Sequence, residues 1–370
     1  MRIEAITLRK LKMRLKAPFE TSFGVTHDRI ILLVELQADG VTGWGEITAM
    51  EAPTFNSETS TTAALVAREF LIPRLLGEQL DSAMDLPHLL APIRGHEMAK
   101  AGIENALWDV EAQQQQVPLA KLLGGTQAEI ACGVSIGLQA SPEALVEKVA
   151  AEIDSGYQRI KLKIKPGKDL EYVKAVRQAN PHALISVDAN SAYTHADTAH
   201  LKRLDEFNLL MIEQPLWWDD IVAHAKLQKA LKTSICLDEP IHNVRHALAA
   251  IELGAARIIN IKLGRVGGHT SARDTQACCL ARKTPVWCGG MLESGIGRAH
   301  NIAAASLPGY KLPGDVSASK RYWHEDIIDP PVEVSADGTI RVPTTPGLGY
   351  EIKLDFIDRC TTEKETWRAH

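Results

Sequence analysis

From about residue 130 onward, short β-branched runs that end in a polar or charged residue alternate with segments of helical period. The strand candidates are Ile130–Gly137, Arg159–Ile164, Leu184–Asn190, Leu210–Pro215, Ser234–Glu239, Ile258–Leu263, Pro285–Gly290 and Tyr310–Asp315. The intervening helices carry readable ends. Ser141 predicts an N-cap with Pro142 at the first helical position, and Gly156 follows that helix. Asn243 predicts another cap, with Val244, Leu248 and Ile251 on one face and Gly254 as the stop. Eight strands alternating with helices imply parallel pairing through βαβ crossovers. Lys163, Asp188, Glu213, Asp238 and Lys262 end successive strands at intervals of 25, 25, 25 and 24 residues. That even spacing predicts a closed barrel, whose catalytic groups collect at the carboxyl ends of its strands. An open doubly wound sheet is the competing architecture. The absence of a GxGxxG turn after the first strand and the strand count both argue for closure.

Residues 1–125 have a different texture. Ile3–Leu15 and Arg29–Gln37 alternate or run apolar as antiparallel strands do, Gly43–Ile47 extends them, and helices are expected around 58–76 and 97–114. The expected organisation is an N-terminal α+β domain over 1–125 and a barrel over 126–324. A turn-rich segment over 325–370 is expected to pack back on the first domain.

At 370 residues the chain is one large domain or two ordinary ones. Apolar residues at 45% and charged residues at 24% are globular usage. A net charge of −5, from 41 basic and 46 acidic residues, gives no electrostatic reason to expect nucleic acid or an anionic membrane as partner. Six basic residues between Arg2 and Lys16 interleave with apolar ones, which reads as a strand rather than a signal peptide. The longest strictly apolar runs, such as Ile30–Val34, are too short to span a bilayer. Cysteines 132, 236, 278, 279, 288 and 360 form no CxxC pair and read as buried thiols of a reducing cytoplasm.

The chemistry lies at the strand ends. Asp188, Glu213 and Asp238 end three consecutive strands, and neighbouring strands lie ~4.8 Å apart. Any one of these acids alone reads more readily as a cap for the next helix. Three at one level are expected to converge and to raise one another's pKa unless a cation lies between them. All-oxygen ligands suit Mg²⁺. Lys161 and Lys163 are two apart, so they share one face of their strand. Alone, this pair would suit a solvated strand. Inside a barrel, like charge and desolvation are expected to lower their pKa towards that of a general base. Lys262 lies four strands on from Lys163, on the opposite wall. One base on each face of a substrate with a cation between them suits proton abstraction next to a carboxylate, because the cation stabilises the enediolate.

The sequence resembles the enolase superfamily, in its muconate-lactonising subgroup, and within that the o-succinylbenzoate synthase / N-acylamino acid racemase family. The resemblance covers nearly the whole chain. It rests on Thr21-Ser22-Phe23-Gly24, Gly43-Trp44-Gly45-Glu46, Cys132-Gly133-Val134-Ser135, Lys161-Leu162-Lys163, Val187-Asp188-Ala189-Asn190, Ile212-Glu213-Gln214-Pro215, Leu237-Asp238-Glu239, Asn260-Ile261-Lys262, Gly289-Gly290-Met291 and Pro313-Gly314-Asp315, in that order. It implies an α/β fold: a (β/α)7β TIM-like barrel behind an N-terminal α+β capping domain. It implies Mg²⁺ or Mn²⁺ on Asp188, Glu213 and Asp238, with Lys163 and Lys262 as the acid/base pair. It further implies that Lys161 binds the substrate carboxylate, Asn190 orients the metal shell and Glu239 stands behind it. Ser135, Gly290 and Met291 would line the pocket, and Phe19, Phe23 and Met50 would close over it. A small-molecule carboxylate substrate and a homo-oligomer are implied as well.

Two activities fit that resemblance. One is the dehydration of 2-succinyl-6-hydroxy-2,4-cyclohexadiene-1-carboxylate to o-succinylbenzoate in menaquinone synthesis, and the other is racemisation of N-acylamino acids. Dipeptide epimerases carry Asp-x-Asp at the last strand, where this chain reads Asp315-Val316-Ser317. Acid-sugar dehydratases use a His–Asp pair, and the seventh strand here ends Cys288-Gly289-Gly290. A Schiff-base aldolase would need no convergent carboxylates. Trp217 and Trp218 stand where the family usually has acids, which bears on substrate range rather than on chemistry.

Overall fold

The structure, a computed structural model, describes residues 1–22 and 24–369. Three antiparallel strands open the chain: Ile3–Thr21, Gly24–Ala38 and Val41–Ile47. Leu11, Met13 and Leu15 are buried while Lys12 and Arg14 are exposed, which is the period of two that a one-sided sheet requires. Thr361–Arg368 adds a fourth strand beside the first, antiparallel, with Ala5 opposite Arg368. The helix Glu97–Gln114 lies on this sheet and is buried along most of its length. Its close approach depends on glycine. A Cβ at Gly45 would lie 2.0 Å from the Gly102 carbonyl oxygen, and one at Gly43 would lie 2.2 Å from that of Ala106.

The second sheet holds seven parallel strands in sequence order: Gly133–Ile136, Arg159–Lys163, Leu184–Asp188, Ile212–Glu213, Ile235–Leu237, Ile258–Ile261 and Val286–Cys288. The eighth candidate, Tyr310–Asp315, is not a regular strand. It touches the seventh strand through a Val286–Tyr310 bridge and reaches the first through a Cys132–Gly314 bridge. Pro313 has no N–H to give to a ladder, so pairing is interrupted between the two bridges. The Gly133 N–H donates to the Gly314 carbonyl at 2.6 Å and the Asp315 N–H to that of Cys288 at 2.8 Å. The wall is therefore closed between its first and seventh strands.

The helices on the outside begin where their caps predict. The Ser141 side chain accepts from the Ala144 N–H ahead of Pro142–Asp154, and Asn243 accepts from the Arg245 and His246 N–H groups ahead of Val244–Glu252. Gly156 and Gly254 follow these helices with φ of +94° and +70°. All six cysteines are free; four are buried as expected, but Cys278 and Cys360 are only partly so. Among the described residues no helix is long and apolar enough to cross a membrane.

Candidate active site

The second barrel strand alternates Arg159, Lys161 and Lys163 with Ile160 and Leu162, so three cationic side chains point to one side. Its neighbours set the anions against them. Lys163 is in register with Asp188, and Asp188 with Glu213. Glu213 is opposite Cys236, so Asp238 lies two residues further along its strand than the level of the other two acids. The expected single level thus holds for Asp188 and Glu213 but not for Asp238.

Each acid is engaged by a cation of the chain. Lys161 Nζ lies 2.9 Å from Glu213 Oε2, 3.2 Å from Asp188 Oδ2 and 2.6 Å from Asp315 Oδ2. Lys163 Nζ donates to Asp188 Oδ2 at 2.7 Å and to Asn190 Oδ1 at 2.6 Å. Lys262 Nζ donates to Asp238 Oδ2 at 2.9 Å, and Arg265 takes the other oxygen. Asn260 Nδ2 donates to Glu213 Oε1 at 2.8 Å. Among the described residues no three His, Cys, Asp or Glu side chains are arranged as a ready metal cage. The donor chemistry nevertheless suits a hard divalent cation. The three carboxylates are fully buried, and Glu213 is pushed up by burial and by the charge of Asp188. Glu239 Oε2 is buried with no hydrogen-bond partner, and burial together with Asp188 pushes that carboxyl up to about 7.

Lys161 and Lys262 differ. Burial and the Lys161 charge lower the Lys262 pKa. Lys161 runs against expectation. Burial acts to lower it, but Asp315, Glu213 and Asp188 outweigh burial and hold the ammonium well above the usual range. A lysine among three carboxylates is a fixed cation, suited to holding an anion rather than to taking a proton.

The remaining predicted residues are dispersed around this cluster. Ser135 Oγ donates to Asp315 Oδ2 at 3.0 Å, and Asn190 Nδ2 reaches Glu239 Oε1 at 3.3 Å. Gly290 borders the eighth segment: a Cβ there would lie 3.0 Å from the Asp315 carbonyl oxygen. The Met291 N–H donates to Glu293 Oε1 at 2.7 Å. Phe19 packs edge-on against Tyr322 with ring centroids 6.5 Å apart, and Met50 bridges to Thr59. Phe23 lies outside the described residues. Phe55 of the cap is set against Lys262, its ring centroid 4.1 Å from Nζ. A cavity of about 770 Å³ lies apart from Lys161, Lys163 and Lys262, at the seam between cap and barrel, lined by His96, Trp218, His242 and His246 among others.

Sequence reasoning missed Arg159, Asn260, Arg265, Asp315 and Phe55 as site residues. Strand parity was the available signal for two of them: Arg159 has the parity of Lys161, and Asn260 that of Lys262. Asp315 receives Arg159 Nη2 at 2.5 Å as well as Lys161 and Ser135, and these cations hold its carboxyl well below the usual range despite burial.

The cap also reaches the barrel at Ser294 and Gly297, a few residues after Met291. Glu46 accepts from the Ser294 N–H, the Ser294 hydroxyl and the Gly297 N–H at the start of Gly295–Ala305. Burial, with the Glu293 charge, pushes the Glu46 carboxyl up to about 7 from the ordinary 4.5. The folded chain thus keeps a proton that the unfolded chain has lost, so this contribution is present below pH 4.5 and is lost as pH rises through 7. Thermal unfolding should show Glu46→Gln recovering on the order of 2 kcal/mol of the stability that the parent loses between pH 5 and 8. An identical pH dependence in both proteins would refute this.

Comparison with known proteins agrees with this architecture. Residues 2–124 match the mandelate racemase / muconate lactonizing enzyme N-terminal domain, and residues 144–356 the enolase C-terminal domain-like family. The chain is 50% identical over 360 residues to an o-succinylbenzoate synthase of Geobacillus kaustophilus, covering 97% of this chain and 96% of that protein. It is 48% identical over 361 residues to an N-succinylamino acid racemase of Thermus thermophilus, covering 98% of both. A crystal structure of an enolase-superfamily member from Listeria innocua superposes with a TM-score of 0.96 at 42% identity, covering 100% of this chain and 99% of that one. The chain belongs to the enolase superfamily, in its mandelate racemase / muconate lactonizing group and within the family that holds o-succinylbenzoate synthases and N-succinylamino acid racemases.

Proposed function

We propose that the chain is an o-succinylbenzoate synthase, which dehydrates 2-succinyl-6-hydroxy-2,4-cyclohexadiene-1-carboxylate in menaquinone biosynthesis. The observation that carries this reading is the half-buried Lys163 and the buried Lys262, four strands apart on opposite walls with carboxylates between them. Lys163 takes the α-proton and returns it to the departing hydroxide from the same side, so that water leaves and the ring becomes aromatic. Lys262 remains cationic on the other side and balances the negative charge that develops on the substrate carboxylate. Lys161, a fixed ammonium, holds that carboxylate.

The superfamily is divalent-metal dependent, typically with Mg²⁺. Asp188, Glu213 and Asp238 would hold the ion, Asn190 and Glu239 would orient them, and the bound ion would supply positive charge beside the substrate carboxylate. Ser135, Gly290 and Met291 would line the substrate side, and Phe19 and Met50 would close it from the cap. Asp315 is already engaged by Lys161, Arg159 and Ser135, so it offers no free anchor for a substrate ammonium. That favours a ring acid or an N-acylated amino acid over a free amine.

A second activity, racemisation of N-acyl- or N-succinylamino acids, is favoured by the lysine on each side, since each can serve one enantiomer. The elimination ends in an aromatic ring and needs only a positioned carboxylate and base, so it should be the faster reaction. The test is kcat/KM for both substrates in one preparation. An elimination value below that for N-succinylmethionine racemisation would make racemase the better description.

A further inference from the structure

The segment Glu51–Ser57 carries the cap chain over the barrel mouth. It is pinned at both ends. Glu51 Oε1 accepts from Arg29 Nη1 at 2.7 Å and from the Ile30 N–H at 2.5 Å. At the other end Glu58 accepts from the Met98 and Ala99 N–H groups at 2.9 and 3.1 Å, at the start of the long cap helix. Between these anchors Phe55 is the one buried residue, at 6% exposure, while its neighbours Ala52, Pro53, Thr54 and Ser57 are exposed. Its ring faces Lys262 Nζ at 4.1 Å. A large apolar side chain turned inward from a polar loop and placed on an ammonium is a specific arrangement, because the ring face is the negative end of its quadrupole.

We infer that Phe55 is a positioning residue: its ring, held over the barrel by the anchored 51–57 loop, fixes the Lys262 ammonium and shields it from water. This rests on the reading of Lys262 as one of two proton-handling lysines. Among the described residues Lys262 has one carboxylate contact, Asp238, and Asp238 also has Arg265 to serve. The proposed function asks Asp238 for a further task as a metal ligand. Phe55 is then the contact that Lys262 keeps whatever Asp238 binds. It also ties the lysine of one wall to the cap, whereas Lys163 on the other wall is held by Asp188 and Asn190 of the barrel itself. The inference therefore predicts a one-sided effect.

The experiment follows α-proton exchange of both enantiomers of N-succinylmethionine in D₂O by NMR. The enantiomer served by Lys262 is identified as the one that still exchanges in Lys163→Ala. Phe55→Leu should slow exchange of that enantiomer by about tenfold and leave the other within about twofold, while Phe55→Tyr, which keeps the ring, should restore it. Equal slowing of both enantiomers, slowing of neither, or failure of Phe55→Tyr to restore would overturn the inference. A second measurement needs no metal and no turnover. Acylation of Lys262 by an amine reagent, read by peptide mass spectrometry on folded protein stripped with EDTA, should be about tenfold faster in Phe55→Leu than in the parent or Phe55→Tyr. Equal labelling in all three would also overturn it. Absence of exchange of either enantiomer in the parent would count against the proton-transfer reading instead, and the labelling would still decide the role of Phe55.

Discussion

Lys163→Ala is expected to lower o-succinylbenzoate formation by about 10³-fold or more, since a positioned acid–base group contributes about 10²–10⁴-fold and here one lysine acts twice. The fold should tolerate the change. Asp188 keeps Lys161 at 3.2 Å, so no buried carboxylate is left without a cation. Lys262→Ala should also abolish racemisation, because each enantiomer needs its own base. Each single variant should still exchange the α-proton of one enantiomer in D₂O, through the lysine that remains. Wild-type racemisation by either variant would remove the two-base assignment.

Chelation with EDTA is expected to abolish both activities, and Mg²⁺ or Mn²⁺ to restore them. Full turnover in rigorously metal-free protein would rule out the carboxylates as a metal site. Asp238→Asn should lose metal affinity by calorimetric titration, and it should also lose stability. Asp238, Lys262 and Arg265 are all buried, and the carboxylate accepts from both cations. Removing its charge leaves two buried cations short of an anion, at a cost of about 3 kcal/mol that thermal unfolding would read. A variant with unchanged melting and unchanged metal affinity would contradict both roles.

The barrel was legible because burial on both faces makes parallel strands continuous apolar runs, and because polar strand ends recur at the length of one βα unit. Asp188, Glu213, Lys163 and Lys262 were visible for that reason. The level of Asp238 was not. Register between strands is a tertiary property, and even spacing along the chain does not fix it. The environment of Lys161 was misjudged because its three carboxylates come from three separate segments, Asp188, Glu213 and Asp315. Periodicity reported the Tyr310–Asp315 segment as a strand, but Pro313 breaks the ladder there. Phe55 was invisible, since one aromatic in a polar loop carries no period.

The edge pairing of Thr361–Arg368 with Ile3–Thr21 has a mechanical consequence. Ala5 faces Arg368 and Lys10 faces Glu363, so the start of one strand lies beside the end of the other. Tension applied through both ends of the chain loads one hydrogen bond at a time, as in opening a zipper, and not the whole row in shear. The cap sheet should yield at low force in a pulling experiment, shedding its edge strand and leaving Ile3–Thr21 as a bare, pairing-competent margin.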